Sequence, residues 1–104
     1  MKSGSVYKKN VLTGTVWEDE NGYNFLYNAT YLEKPTYGAV SRTLPLREEV
    51  FTSSNMLPFF DGLIPEGWLL EIAIENWKLN KGDRMNLLLT LCDDCIGDIS
   101  IKRE

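Results

Sequence analysis

The segment Phe59-Phe60-Asp61-Gly62-Leu63-Ile64-Pro65-Glu66-Gly67-Trp68 constrains this chain more than any other. Before it, apolar residues recur at the spacing of strands and are interrupted by turn residues. After it, they recur at the spacing of helices. Strands followed by helices are the pattern of an α+β domain. Within the segment, Phe59, Phe60, Leu63 and Ile64 demand burial. Pro65 suits the first turn of a helix, where a missing N–H costs nothing. Glu66 places negative charge at the positive end of the helix dipole. Gly67 lowers helix propensity where a neighbouring backbone comes close. The expectation is an apolar knob on a rigid elbow that leads into a helix.

Upstream, Val6-Tyr7 read as a short extended piece. Val11 to Glu18 places Val11, Thr13, Thr15 and Trp17 on one side, a strand pattern. Asp19-Glu20-Asn21-Gly22 signals a hairpin, since Asn-Gly tolerates positive φ at both central positions. Tyr23, Phe25 and Tyr27 then alternate with Asn24, Leu26 and Asn28 as the return strand. Asn28 to Glu33 predicts one short helical turn before Pro35. Val40 to Leu44 predicts a short strand ended by Pro45. Arg47 to Asn55 reads as a loop anchored by Phe51.

Glu66 to Leu79 is the main predicted helix. At about 100° per residue, Glu71, Glu75 and Lys78 share a narrow polar stripe, and apolar residues spread over roughly 240° of the remainder. A helix lying on a globule needs a much narrower apolar face. This one is expected to be covered on more than one side, in part by something outside the chain. Trp77 is expected in the core. Trp68, at the elbow and at the edge of the arc, is divided between core and interface anchor, a position where Trp is over-represented. Lys81-Gly82-Asp83 ends the helix, and Asp83 is placed to cap a second one from Arg84 through Leu91. Gly97 opens a final strand, Asp98 to Lys102.

The chemistry is sparse. Histidine is absent, which removes the commonest general base and metal ligand. Cys92-Asp93-Asp94-Cys95 is a CxxC, but zinc needs about four ligands and no second pair exists. A redox pair of the thioredoxin type opens a helix, whereas this one follows a helix. Ordinary semi-buried cysteines are the simpler reading. Asp93 and Asp94, with Asp98 nearby, miss the calcium-loop spacing and read as a turn of aspartates, with Asp94 bonding local N–H groups. The glycines form neither a P-loop nor a dinucleotide fingerprint. No catalytic, cofactor or metal residue is assigned. A formal charge of -4 argues against a standalone nucleic-acid binder. With no apolar leader, no run long enough to span a membrane and two cysteines, the expected compartment is the cytoplasm. The 104 residues fit one domain, 1–104.

These residues resemble a known family. The segment from Phe59 to Trp68 is similar to the F-F-x-x-L-L-P-E-G-W signature of the HipA N-terminal subdomain. Gly14 to Glu18 and Phe25-Leu26-Tyr27 look like its opening strands, and Ser41 to Leu46 looks like its S-x-x-L-P-L segment. Leu87-Leu88-Leu89 and then Asp94-Cys95-Ile96-Gly97 look like its close. The likeness runs over nearly the whole chain. Cys92 stands where the family commonly has Gly, and Asp98 where it has Ala.

The resemblance implies a small antiparallel sheet carrying two to three helices. HipA toxins are serine/threonine kinases with this subdomain preceding the catalytic core. A chain ending where that core would begin resembles the separate small subunit of a HipBST-type toxin–antitoxin system. The implied role is that of a HipS-like antitoxin that binds and restrains a HipA-like (HipT-type) kinase, with a helix-turn-helix HipB-like protein in the same complex. The expected partner-binding residues are Trp68, Phe60, Leu63, Pro65 and Glu66. Two alternatives stay open: a structural subunit that completes the kinase fold without inhibiting it, and a small-ligand or thiol-redox domain using Cys92 and Cys95.

Overall fold

The computed structural model describes residues 2–80, 82–92 and 98–104. Three consecutive strands form a meander: β1 (Lys2–Lys8), β2 (Val11–Asp19) and β3 (Gly22–Tyr27). A short helix, α1 (Ala29–Glu33), and a loop lead to β4 (Phe51–Ser53). Three helices follow, α2 (Pro58–Asp61), α3 (Gly67–Trp77) and α4 (Arg84–Leu91), before β5 (Ile99–Arg103) returns to the sheet. The strand order is β4-β3-β2-β1-β5, with every neighbouring pair antiparallel. The fold is the expected α+β arrangement, with four helices among the described residues.

The first hairpin turns on Lys9 and Asn10, which both adopt positive φ (51° and 67°). Two such residues match the right-handed twist of the flanking strands. Lys9 is held there by its N–H, which donates to the Asp98 carbonyl at 2.7 Å. The second hairpin differs from its predicted form. Glu20 and Asn21 are the two loop residues between the paired Asp19 and Gly22, and only Gly22 takes positive φ (121°). Asp19 fixes this turn by accepting from the Asn21 N–H at 2.8 Å. That bond holds its carboxyl below the usual carboxylate value.

The face expected of β2 is also corrected. The register with β1 slips between Val6 and Tyr7. Thr13 is the extra residue, and its hydroxyl donates to the Val6 carbonyl at 2.9 Å. A bulge shifts the alternation that follows it. Val16 is therefore buried, while Thr15 and Trp17 are only partly covered.

One face of the sheet carries the core. Val6, Val16, Phe25, Tyr27, Phe51 and Ile101 pack with Phe60 of α2 and with Met85, Leu87, Leu88 and Leu89 of α4. Gly4 lets α4 approach, since a Cβ there would lie 2.6 Å from the Leu89 side chain. Arg84 ties the two helices by donating from Nε to Asp61 Oδ1 at 2.8 Å. Asp83 caps α4 as its position predicts, accepting from the Asn86 N–H at 3.2 Å, and pairs with Lys2 across the domain.

The segment expected as a strand over Val40 to Leu44 is instead a pinned loop with a single bridge, Ser41 to Leu44. Tyr27 and Tyr31 stack at 6.5 Å and hold it through their hydroxyls. Tyr27 accepts from the Val40 N–H at 3.0 Å and donates to the Leu44 carbonyl. Tyr31 donates to the Gly38 carbonyl at 2.8 Å. Burial pushes the Tyr27 phenol above its ordinary value, so it remains a donor. Among the described residues, no helix is long and apolar enough to cross a membrane.

Candidate protein-binding surface

The elbow begins with α2, which Pro58 opens at the first helical position. Its last turn tightens: the Leu63 N–H donates to the Phe60 carbonyl at 3.0 Å, and the Ile64 N–H to the Asp61 carbonyl at 3.2 Å. The chain then extends through Pro65 and Glu66. Helix α3 runs from Gly67 to Trp77, starting one residue after and ending two residues before the predicted span of Glu66 to Leu79. Glu66 occupies the N-cap position, exposed and without a side-chain capping bond. Gly67 is required for its φ of +59°, not for a close neighbour, since a Cβ there would meet nothing within 4 Å. A side chain at that φ is strained, so the glycine sets the direction in which Trp68 leaves the body.

Helix α3 is loosely held. Leu70 is its one buried residue, and Ala73 and Ile74 are half-buried. Exposure reaches 70% at Trp68, 54% at Leu69, 46% at Ile72 and 65% at Trp77. Trp68, Leu69 and Ile72 fall at helical neighbour spacings and form one outward stripe. Trp77 lies nine residues from Trp68, about two and a half turns, and so on the opposite face of the helix. It continues the stripe of Leu70 and Ile74, but the body of the domain ends before reaching it. The expectation of a core Trp77 therefore fails. Glu71 and Glu75 add exposed carboxylates between the apolar stripes.

The five residues expected at a partner surface separate clearly. Trp68 and Glu66 are exposed, and Leu63 and Pro65 are half-buried. Phe60 is a correction. It is fully buried, with its ring 5.3 Å from Phe25 and 5.1 Å from Phe59, so it supports the elbow from below rather than lying on the surface. Leu69 and Ile72 were not singled out from the sequence, and Trp77 was expected in the core. The signal that could have found them was the over-wide apolar arc.

Cys92 is buried, and its thiol donates to the Leu63 carbonyl at 3.4 Å. Cys95, Asp93 and Asp94 lie outside the described residues. Among the described residues, no group of three or more His, Cys, Asp or Glu side chains is placed to hold a metal ion.

The family model of the HipA N-terminal domain matches residues 4–102. An uncharacterised protein of Haemophilus influenzae is 29% identical over 104 residues, spanning all of this chain and 94% of that protein. The solved N-terminal domain of HipA toxin superposes with a TM-score of 0.73 at 25% identity, covering all of this chain and 93% of that one.

Proposed function

Since this chain belongs to the HipA N-terminal domain family, we propose that it is a non-catalytic, antitoxin-like subunit that binds a separately encoded HipA-like serine/threonine kinase and inhibits it. The observation that carries this reading is α3, which leaves Trp68, Leu69, Ile72 and Trp77 uncovered. Monomeric proteins seldom leave large contiguous apolar patches in water, and such patches mark interfaces. With tryptophans on opposite faces, α3 suits insertion between two walls better than docking on a flat surface. An inserted helix occludes the space it fills, which is the simplest route to inhibition.

Trp68 is the proposed central anchor. Leu63, Pro65 and Glu66 form the rim of the elbow, and Phe60 holds it in place from the core. An interface of this kind buries about 800 Å² per partner. A helix-turn-helix HipB-like protein joins the same complex, and the cytoplasm is its compartment.

The test is autophosphorylation of a HipA-like kinase from the same genome, with and without the purified chain, after co-purification of the two. Inhibition that saturates at one to one supports the reading. A stable complex with unchanged kinase activity favours a structural subunit that completes the fold, and failure to form any complex rejects both.

A further inference from the structure

Leu26 and Thr15 alternate with the core residues Phe25 and Val16, so they face the side of the sheet opposite α4. There a shallow cavity of about 520 Å³ is lined by Leu26, Tyr27, Ala29, Leu32, Glu33 and Glu48. A second cavity of about 290 Å³ shares Leu26, Tyr27 and Ala29 with it and runs on past Leu12 to Ser5 and Glu104. The two make one trough across β3, β2 and β1. Its floor is mainly apolar around Leu26 and Leu32 and mixed toward β1, where Ser5, Thr15 and Asn28 join Leu12; Leu12 and Leu26 are both exposed large hydrophobics.

Among the described residues, every charged one that lines the trough is acidic: Glu33 and Glu48 at one end, Glu104 at the other. Glu104 is held over the sheet by the hydroxyls of Ser5 and Ser3, which donate to its carboxylate at 2.9 and 3.3 Å. Lys102 pairs with Ser5 across β1 and β5 on the same face but does not line the trough. Among the described residues, neither Glu33 nor Glu48 has a cationic partner.

We propose that this trough binds a basic, amphipathic segment of another protein, separately from α3. Charge complementarity selects the occupant. Carboxylates at both ends of a partly apolar floor repel nucleic acid and anionic lipid and attract Lys or Arg. A second copy fits poorly, because the apolar surface it would offer on α3 is itself flanked by Glu66, Glu71 and Glu75. Crossing three strands spans two strand spacings, about 10 Å, which an extended segment covers in about three residues. The occupant is thus a stretch in which two or three apolar residues separate basic ones. This goes beyond kinase inhibition and does not rest on it.

Fluorescence anisotropy of the full chain with a labelled Lys-Leu-Val-Leu-Arg peptide, flanked by glycines, tests the proposal. Saturable binding is expected that weakens with added salt and is lost when the two basic residues of the peptide become Gln. The double variant Glu33→Gln/Glu48→Gln should bind at least about tenfold more weakly, and both positions are exposed, so the fold is not at risk. Trp68→Ala should bind the peptide as the parent does. Absence of saturable binding, parental affinity in the double Gln variant, or loss of binding in Trp68→Ala each overturns the proposal.

Discussion

Replacing Trp68 by Ala separates surface from core. A tryptophan side chain offers at most about 250 Å², and 70% of this residue is exposed. About 170 Å² is therefore available to a partner, equivalent to roughly 4 kcal/mol at about 25 cal/mol per Å². Ordering costs and incomplete burial reduce that to about 2–3 kcal/mol, the range of an interface hot spot. The complex should weaken about 30- to 150-fold. Inside the domain the loss is smaller. The covered remainder, about 75 Å², sets a ceiling near 2 kcal/mol, and Ala returns about 0.5 kcal/mol of helix propensity. A net loss of about 1 kcal/mol lowers Tm by roughly 4–8 °C in a domain of this size. Titration calorimetry with the kinase and thermal unfolding of the isolated chain measure the two quantities side by side. A Tm drop beyond about 15 °C would show that Trp68 is a core residue. Undiminished affinity in a folded variant would show that this surface is not the interface. Either result refutes the reasoning.

Other substitutions probe the supports of that surface. Phe60→Ala should cost about 3–5 kcal/mol, seen as a lower urea midpoint, and partner binding should vanish along with the fold; a stable variant with weakened binding would return Phe60 to the interface. Gly67→Ala forces a side chain into positive φ at a cost of about 1–2 kcal/mol and disturbs the exit angle of Trp68, so Tm and affinity should fall together; a variant unchanged in both would mean that the elbow does not aim the helix. Asp83 supplies a pH signature. Burial pushes its carboxyl up, but the Lys2 ammonium and the Asn86 N–H outweigh burial and hold it below the ordinary value of 3.8. A lowered folded value means stabilisation that is present above pH 3.8 and lost as pH falls through that lower value. Asp83→Asn should therefore be less stable than the parent at pH 7 and lose less stability on acidification; parallel Tm curves for the two proteins would rule out the linkage.

What the sequence disclosed depended on how local the cause was. Asp83 was legible as a cap because capping involves one side chain and an N–H three residues on. The broad apolar arc of α3 was legible because it is a property of one helix. Trp77 was misjudged because its burial depends on where the neighbouring body ends, and no residue near it carries that information. The Lys9-Asn10 turn was missed since neither residue is glycine, and its positive φ values are sustained by the Asp98 carbonyl far along the chain. Thr13 concealed a bulge, so counting by twos through β2 put Trp17 on the wrong side. β4 was read as loop because three residues are too few to show alternation, and only pairing with Phe25 makes them a strand. The division of the expected site followed the same logic. Phe60 and Trp68 are both aromatics at one elbow, and only the packing of Phe25 beneath decides which of them points inward.

The slender mooring of α3 through Leu70 has a bearing on turnover. A helix fastened by so little opens often, and an opened helix is where a protease first cuts. Amides of 67–77 should exchange with solvent well before those of α4, and a partner gripping the helix should slow that exchange. Copies left unaccompanied would then be the first to be degraded, so the surviving pool of this protein would follow the quantity of whatever partner covers the helix.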